Sequence, residues 1–113
     1  PSYVADPYGL AIEPLRMASF KTTSRFGEPL STQLRTMIAL EEDARYVLLP
    51  VELHFEMEQN VPTRLRAVLR LALLDPRLAT ASWVGEIKGS LEPSPSRALA
   101  SVADAVADMF VAP

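Results

Sequence analysis

The stretch that decides the fold is "YVLLPVELHFEME" (Tyr46–Glu58), followed after a short loop by "RLRAVLRLALLD" (Arg64–Asp75). In both segments apolar and polar residues alternate with a period of two, the pattern of a β-strand with one face on a core. A third segment of this kind, "TASWVGEIKG" (Thr80–Gly89), follows the turn "DPRLA". Three strands joined by short loops predict an antiparallel meander.

The charges of the first two strands predict their register. If Glu56 lies opposite Arg66, the same register places Glu52 opposite Arg70. Opposite charges then meet on one face of the hairpin, and apolar residues meet on the other. A shift of one residue would break both sets of contacts, so the pattern specifies this register.

The residues around the meander predict two helices and one further strand. Residues 1–8 are expected to be an N-terminal arm, and residues 9–113 a single domain. The apolar segment Gly9–Leu15 is expected to be the first strand, and apolar residues recur at helical spacing in 29–43 and 96–110. The predicted fold class is α+β, an α/β two-layer sandwich in the order β-α-β-β-β-α. A right-handed crossover would give a mixed four-stranded sheet with both helices on one face.

The only tryptophan, Trp83, occupies an inward position of the third strand of the meander. Gly85 lies two residues further on the same face and leaves room beside the large indole. Aromatic side chains at inward strand positions usually dominate core burial. The sequence therefore predicts that Trp83 is a core residue rather than a ligand-stacking one.

Composition excludes several classes of function. The chain has 113 residues, a net charge of −3 and only 11 Lys and Arg, which do not cluster, so a nucleic-acid interface is not expected. The absence of cysteine removes disulfides, thiolate zinc sites and thiol nucleophiles. No apolar run approaches the roughly 20 residues of a membrane span. No cofactor is expected.

A carboxylate–imidazole–carboxylate row is the strongest catalytic candidate. The only histidine, His54, lies between Glu52 and Glu56 on one face of its strand. Such a row can bind a divalent cation or act in acid–base catalysis, so a small metal-dependent hydrolase is the alternative function. However, the predicted register places Arg66 and Arg70 across from the carboxylates. We therefore expect a solvated, ion-paired face and no catalytic or metal-ligating residue.

The outer face of the predicted sheet is charged at one end and apolar at the other. The apolar end needs a cover, either the chain's own Tyr3, Tyr8, Met17 or Phe20, or a partner protein. The last strand, Thr80–Gly89, is expected to be a sheet edge to which a partner could add a strand. The predicted partner-binding residues are Leu48, Pro50, Ala72, Leu74, Ser82, Val84 and Glu86.

Over about residues 9–110 the chain resembles a group of bacterial envelope proteins. These are the amino-terminal domain of the TolB translocation protein, the curli-secretion lipoprotein and penicillin-binding-protein activator lipoproteins. The resemblance rests on short motifs, an "aryvl"-like strand start, an "lLD"-like turn and "W-x-G-e", carried here by Ala44–Leu48, Leu73–Asp75, Trp83, Gly85 and Glu86. The turn "DPRLA" lacks the Thr-Gly common in that group, and the chain lacks a lipid-bearing cysteine.

The resemblance implies a periplasmic or envelope-associated domain that binds other proteins. It implies an accessory or scaffold subunit of a membrane-associated complex, and no catalytic residue. Because the lipid-bearing cysteine is missing, the resemblance does not extend to a membrane anchor. The function expected from the sequence is therefore that of a non-enzymatic protein-interaction module.

Overall fold

The computed structural model of the chain describes residues 2–41, 44–60 and 63–111, with the side chains of Ser2, Tyr3 and Val111 excepted. The elements in chain order are strand β1 (Ser2–Val4), a 3-10 turn (Glu13–Arg16), helix α1 (Leu30–Ile38), strands β2 (Tyr46–Met57), β3 (Leu65–Asp75) and β4 (Thr80–Lys88), helix α2 (Pro95–Val106) and a π-helical turn (Ala107–Val111). The predicted helix end at Glu42–Asp43, the predicted loop residues Val61 and Pro62, and residues Pro1, Ala112 and Pro113 lie outside the described residues.

The sheet differs from the prediction at its first strand. Its body consists of three antiparallel strands in the order β2, β3, β4, and β1 runs in parallel only beside Tyr46–Leu48. The segment Gly9–Leu15 forms no strand, because Gly9 has a φ of +81° and the N–H of Leu15 turns back to the carbonyl of Ile12 (2.9 Å). Pro14 also lacks the N–H that a ladder requires. The predicted fold class, a mixed four-stranded sheet with its first strand there, is therefore wrong.

The chain forms two compact units, which are described separately. The first contains residues 1–51 and 71–85, and the second contains residues 52–70 and 86–113. Strands β2, β3 and β4 contribute residues to both units. Residues 2–4, which the sequence assigns to an arm, form β1 of the first unit.

The core of the first unit joins α1 and the loop segments before it to the strands. Leu30 and Leu34 lie one helical turn apart and are both buried, which explains why this amphipathic segment packs as a helix. The buried core residues are Ala5, Ile12, Leu15, Phe20, Phe26, Leu30, Leu34, Val47, Leu49, Val51, Ala72, Leu74 and Ala81.

Helix α1 begins beside a carboxylate that bonds its first turn. The Oε1 of Glu28 accepts a hydrogen bond from the backbone N–H of Thr32 (2.7 Å), and the Thr32 hydroxyl donates to Oε2 of the same carboxylate. The hydroxyl bond, followed by the backbone bond, holds the pKa of Glu28 below its usual value. A carboxylate here satisfies an N–H group that lacks an intrahelical partner.

The alternation of β2 is interrupted near Pro50. The carbonyl of Leu48 accepts from the N–H of Ala5 (3.0 Å), and the carbonyl of Val51 accepts from Nε of Arg16 (3.0 Å). Both carbonyls therefore point to the same edge, although Leu48 and Val51 are three residues apart. In a regular strand, carbonyls point to the same edge only when an even number of residues separates them. Pro50 lies in this interval, a position where a strand tolerates proline because the ladder is already broken.

A second interruption occurs in β4. Ala81 exchanges backbone hydrogen bonds with Thr23 and Ser24 (2.8 Å each), and three residues later the N–H of Val84 donates to Oγ1 of Thr22 (2.9 Å). The strand therefore presents both Ala81 and Val84 to the core of the first unit. The strict alternation assumed from the sequence does not hold between them.

Trp83 lies between these two residues and is only partly buried. The prediction that it is a core residue is wrong, since it is not among the buried core residues of the first unit. Its expected closeness to Gly85 is confirmed: a Cβ atom at Gly85 would lie 2.3 Å from Cζ2 of the indole. The indole thus covers the space that a side chain at residue 85 would occupy.

The second unit packs α2 near the end of β4. Ser94 begins the helix by accepting a hydrogen bond from the N–H of Arg97 (3.3 Å), and Pro95 occupies its first turn. The helix buries Ala98 and Val102. A Cβ atom at Gly89 would lie 2.9 Å from the backbone nitrogen of Val102, so glycine permits this close approach.

Candidate functional site

The structure buries three of the seven predicted partner-binding residues. Leu48, Ala72 and Leu74 have no accessible surface. Ala72 and Leu74 lie in the core of the first unit, to which Phe20 also belongs. The sequence left open whether the chain itself or a partner protein covers this apolar region. Phe20 packs in the same core, so the chain's own residues cover it, although Met17 is exposed.

The edge of β4 that was expected to receive a partner strand is also occupied in part. The segment Thr22–Phe26 hydrogen-bonds along it from Ala79 to Val84, including a bond from the N–H of Phe26 to the carbonyl of Ala79 (3.0 Å). Of the other predicted residues, Ser82 and Glu86 are exposed and Pro50 and Val84 are partly buried. The seven predicted partner-binding residues therefore do not form one exposed surface: three are buried, two are partly buried and two are exposed.

An uncovered edge lies instead on β2. Within the described ranges β1 ends at Val4, and no other strand lies beside β2 on this side. The N–H of Glu58 donates to the carbonyl of Arg64 (3.1 Å) across the hairpin, as the predicted register requires. In a regular strand the backbone groups of Leu53, Phe55 and Met57 then point away from β3. We refer to residues 53–57 as the open edge.

Apolar side chains line one face of the open edge. Leu53, Phe55 and Met57 are 44%, 40% and 58% exposed. The sequence predicts that these residues continue the buried face of β2, and for this end of the strand that prediction is wrong. Alternation shows which residues share a face, but burial requires a layer above that face. The backbone groups beside these three partly exposed side chains have no hydrogen-bond partner among the described residues on this side, and such a combination is typical of an interaction surface.

The other face of the open edge carries the charged row that the sequence singled out. His54 Nε2 lies 3.7 Å from Oε2 of Glu56, and Lys88 Nζ donates to Oε1 of Glu56 (3.4 Å). The side chains of these three residues are 42% to 49% exposed. Such pairs contribute only about 0–1 kcal/mol each, so they orient Glu56 more than they stabilise the fold.

The row does not form a metal site. In the part of the chain that the structure describes, no three His, Asp or Glu side chains come close enough to hold a metal ion. Glu56 is shared between Lys88 and His54, and the Lys88 ammonium would repel a cation. This arrangement lends no support to the alternative of a hydrolase using Glu52, His54 and Glu56.

Calorimetric titration with Zn²⁺ at neutral pH is expected to show no binding in the micromolar range. The reason is that the nearest carboxylate to His54 is already paired with Lys88, and zinc sites need three or four convergent ligands. The His54→Ala variant serves as the control and should give the same trace. Micromolar binding that disappears in His54→Ala would instead support the metal-dependent alternative.

A polar pocket of about 350 Å³ lies elsewhere in the second unit. Its lining consists of Ser90, Glu92, Arg97, Ala100, Ser101 and Asp104. Ser90 Oγ donates to Glu92 Oε2 (2.8 Å), and the N–H of Ser90 donates to Ser101 Oγ (2.7 Å). The single histidine of the chain, His54, does not line this pocket. These bonds tie the segment after β4 to α2.

A scan of the chain against protein-family models finds no match, and searches of curated proteins and of solved structures find no significant match either. Across the described residues, neither helix has the length and apolar character needed to cross a membrane. Fold and site together define an α/β fold in which one edge of β2 has no strand beside it among the described residues.

Proposed function

We propose that this chain is a non-enzymatic protein-interaction module that receives a strand from a partner protein along the open edge. One observation carries the proposal: the side chains of Leu53, Phe55 and Met57 remain 40% to 58% exposed. They lie beside backbone groups that, in a regular strand with the Glu58–Arg64 hydrogen bond, point away from β3. Strand addition uses both features at once, because backbone hydrogen bonds supply affinity and alternate side chains supply selectivity.

The open edge of β2 is favoured over the edge of β4 because the chain itself already occupies part of the β4 edge. The segment Thr22–Phe26 already hydrogen-bonds to β4 between Ala79 and Val84. A partner there would have to displace this segment. At the open edge a partner meets N–H and C=O groups that no described segment of the chain occupies. Ser82 and Glu86, which are exposed on β4, stay predicted contacts of lower weight.

We propose further that the module works in the bacterial envelope, as an accessory or scaffold subunit of a membrane-associated complex. The support is the resemblance to the TolB amino-terminal domain and the curli-secretion lipoprotein. The net charge of −3 also favours a protein partner over nucleic acid.

Photo-crosslinking in the source cells tests both proposals. A photoreactive residue at Met57, which is 58% exposed, is expected to give a discrete protein adduct that sediments with the envelope fraction. The same residue at Leu78, which is 64% exposed in the turn before β4, is the matched control and should not give this adduct.

A proline at residue 55 is the second arm of this experiment. The N–H of Phe55 points to the open edge, so Phe55→Pro removes a donor to the partner while leaving the β2–β3 ladder intact. Losing one such hydrogen bond should lower the adduct yield about tenfold. Adducts of equal yield from Met57 and Leu78, or adducts that persist in Phe55→Pro, would rule out strand addition here. Adducts confined to the soluble fraction would rule out the envelope.

A further inference from the structure

Resting on the proposed function, we infer that the partner is a different protein that offers an extended segment in which basic residues alternate with apolar ones. The segment would lie beside β2, with its basic side chains next to Glu52, Glu56 and Glu58 and its apolar side chains next to Leu53, Phe55 and Met57.

A row of acidic side chains lies along the open edge. Side chains alternate along a strand, so Glu52, His54, Glu56 and Glu58 form one row on the face opposite the apolar stripe. Glu56 is paired with Lys88, whereas no ion pair within the described residues involves Glu52 or Glu58. Arg66 and Arg70 share this face in the register that the Glu58–Arg64 bond fits, but they lie on β3, on the side of the row away from the open edge. The carboxylates are therefore the charged groups nearest to a strand added at this edge.

The geometry of a sheet turns this charge into selectivity. Residues directly opposite each other on neighbouring strands have Cβ atoms about 5 Å apart, and opposite charges at that distance stabilise the pair while like charges destabilise it. Lysine or arginine at alternate positions of an added strand would thus be favoured, and glutamate or aspartate would be disfavoured. The intervening positions face Leu53, Phe55 and Met57 and favour apolar side chains.

A second copy of this chain fits the edge poorly. Antiparallel pairing of two open edges about Phe55 would place Glu52 opposite Glu58 twice. Pairing about His54 would place Glu52 opposite Glu56 twice. Both arrangements bring carboxylates together across the new strand pair. The acidic row therefore discourages self-association at an edge that would otherwise be prone to it.

Two synthetic peptides test the inference. Both are ten residues long with valine at every second position; one carries lysine and the other glutamate at the intervening positions. Their binding to the full chain is measured by fluorescence anisotropy at low micromolar peptide. The lysine peptide is expected to bind at least about tenfold more tightly than the glutamate peptide, because several cross-strand pairs change sign. Added salt should reduce this difference.

The double variant Glu52→Lys with Glu58→Lys provides the control on the protein side. These two side chains make no ion pair among residues 2–41, 44–60 and 63–111. Because the new lysines would lie across from arginines of β3, circular dichroism and a melting curve must first show that the variant is folded. The variant is expected to reverse the preference and bind the glutamate peptide more tightly. A reversal locates the effect at this edge and supports the inference.

Other outcomes overturn it. Equal binding of the two peptides would exclude a basic partner strand and leave strand addition itself in place. Binding of neither peptide would also exclude it, and the Met57 adducts then decide separately whether the proposed function holds. Dimers in sedimentation analysis that disappear in Phe55→Pro would identify a second copy of the chain as the occupant instead.

Discussion

Replacing Leu74 by alanine is expected to lower the free energy of unfolding by about 3 kcal/mol. The Leu74 side chain has no accessible surface and lies in the core of the first unit with Leu49 and Ala72. Deleting its branched end removes buried apolar contacts and leaves a cavity that the surrounding strands fill only in part, a change that costs about 2–5 kcal/mol in well-packed cores. Urea unfolding followed by circular dichroism measures the difference.

Leu78→Ala is the matched control for this substitution. Leu78 lies four residues further on, in the turn before β4, and is 64% exposed. The same chemical change there should shift the free energy of unfolding by no more than about 0.5 kcal/mol. If Leu74→Ala were as mild as Leu78→Ala, Leu74 would lie on a surface that a partner can reach, as the sequence pattern alone suggested.

Gly85→Ala is the second substitution with a large expected effect, a loss of about 2 kcal/mol. The added Cβ atom would lie 2.3 Å from Cζ2 and 2.9 Å from Cε2 of the Trp83 indole, far inside van der Waals contact. The indole must leave its position, and overpacking of this kind costs about 1–3 kcal/mol. Because Trp83 is the only tryptophan, its fluorescence spectrum should shift along with the unfolding midpoint.

A double-mutant cycle separates the clash from other effects at residue 85. In a Trp83→Val background the atoms that the new Cβ would meet are gone, so Gly85→Ala should become neutral or slightly stabilising. The expected coupling energy is about 2 kcal/mol. An equal loss in both backgrounds would mean that the backbone at Gly85, and not the indole, resists the substitution.

Most of the regular elements were predictable from the sequence because their signals are local. The alternation around Phe55 and around Leu69 predicted β2 and β3, and the Glu58–Arg64 hydrogen bond fits the register drawn from the charges. The helical spacing of apolar residues also located α1 inside the predicted 29–43, and α2 one residue earlier than the predicted start at 96. Periods of two and 3.6 follow from backbone geometry, so they can be read without knowing the partners.

The first strand was missed because its signal is not local. Ser2–Val4 is only three residues long, and it becomes a strand by pairing with Tyr46–Leu48 more than forty positions later. The apolar segment Gly9–Leu15 carries a stronger pattern, but Gly9 and Pro14 turn the chain, and Ile12 and Leu15 reach the core from a loop and a 3-10 turn. A short apolar run does not distinguish a strand from a packed coil.

The candidate site was decided by the tertiary structure. The sequence by itself determined that β2 has an apolar and a charged face, since alternation sets which side chains share a face. Only the folded chain decides which half of each face is covered. Interruptions at Pro50 and between Ala81 and Val84 change the phase of two strands, and the segment Thr22–Phe26 takes the edge of β4. Because β1 ends at Val4, the last residues of β2 have β3 on one side and no described strand on the other. Edges and covers depend on contacts between residues far apart in the chain, and a local pattern does not encode them.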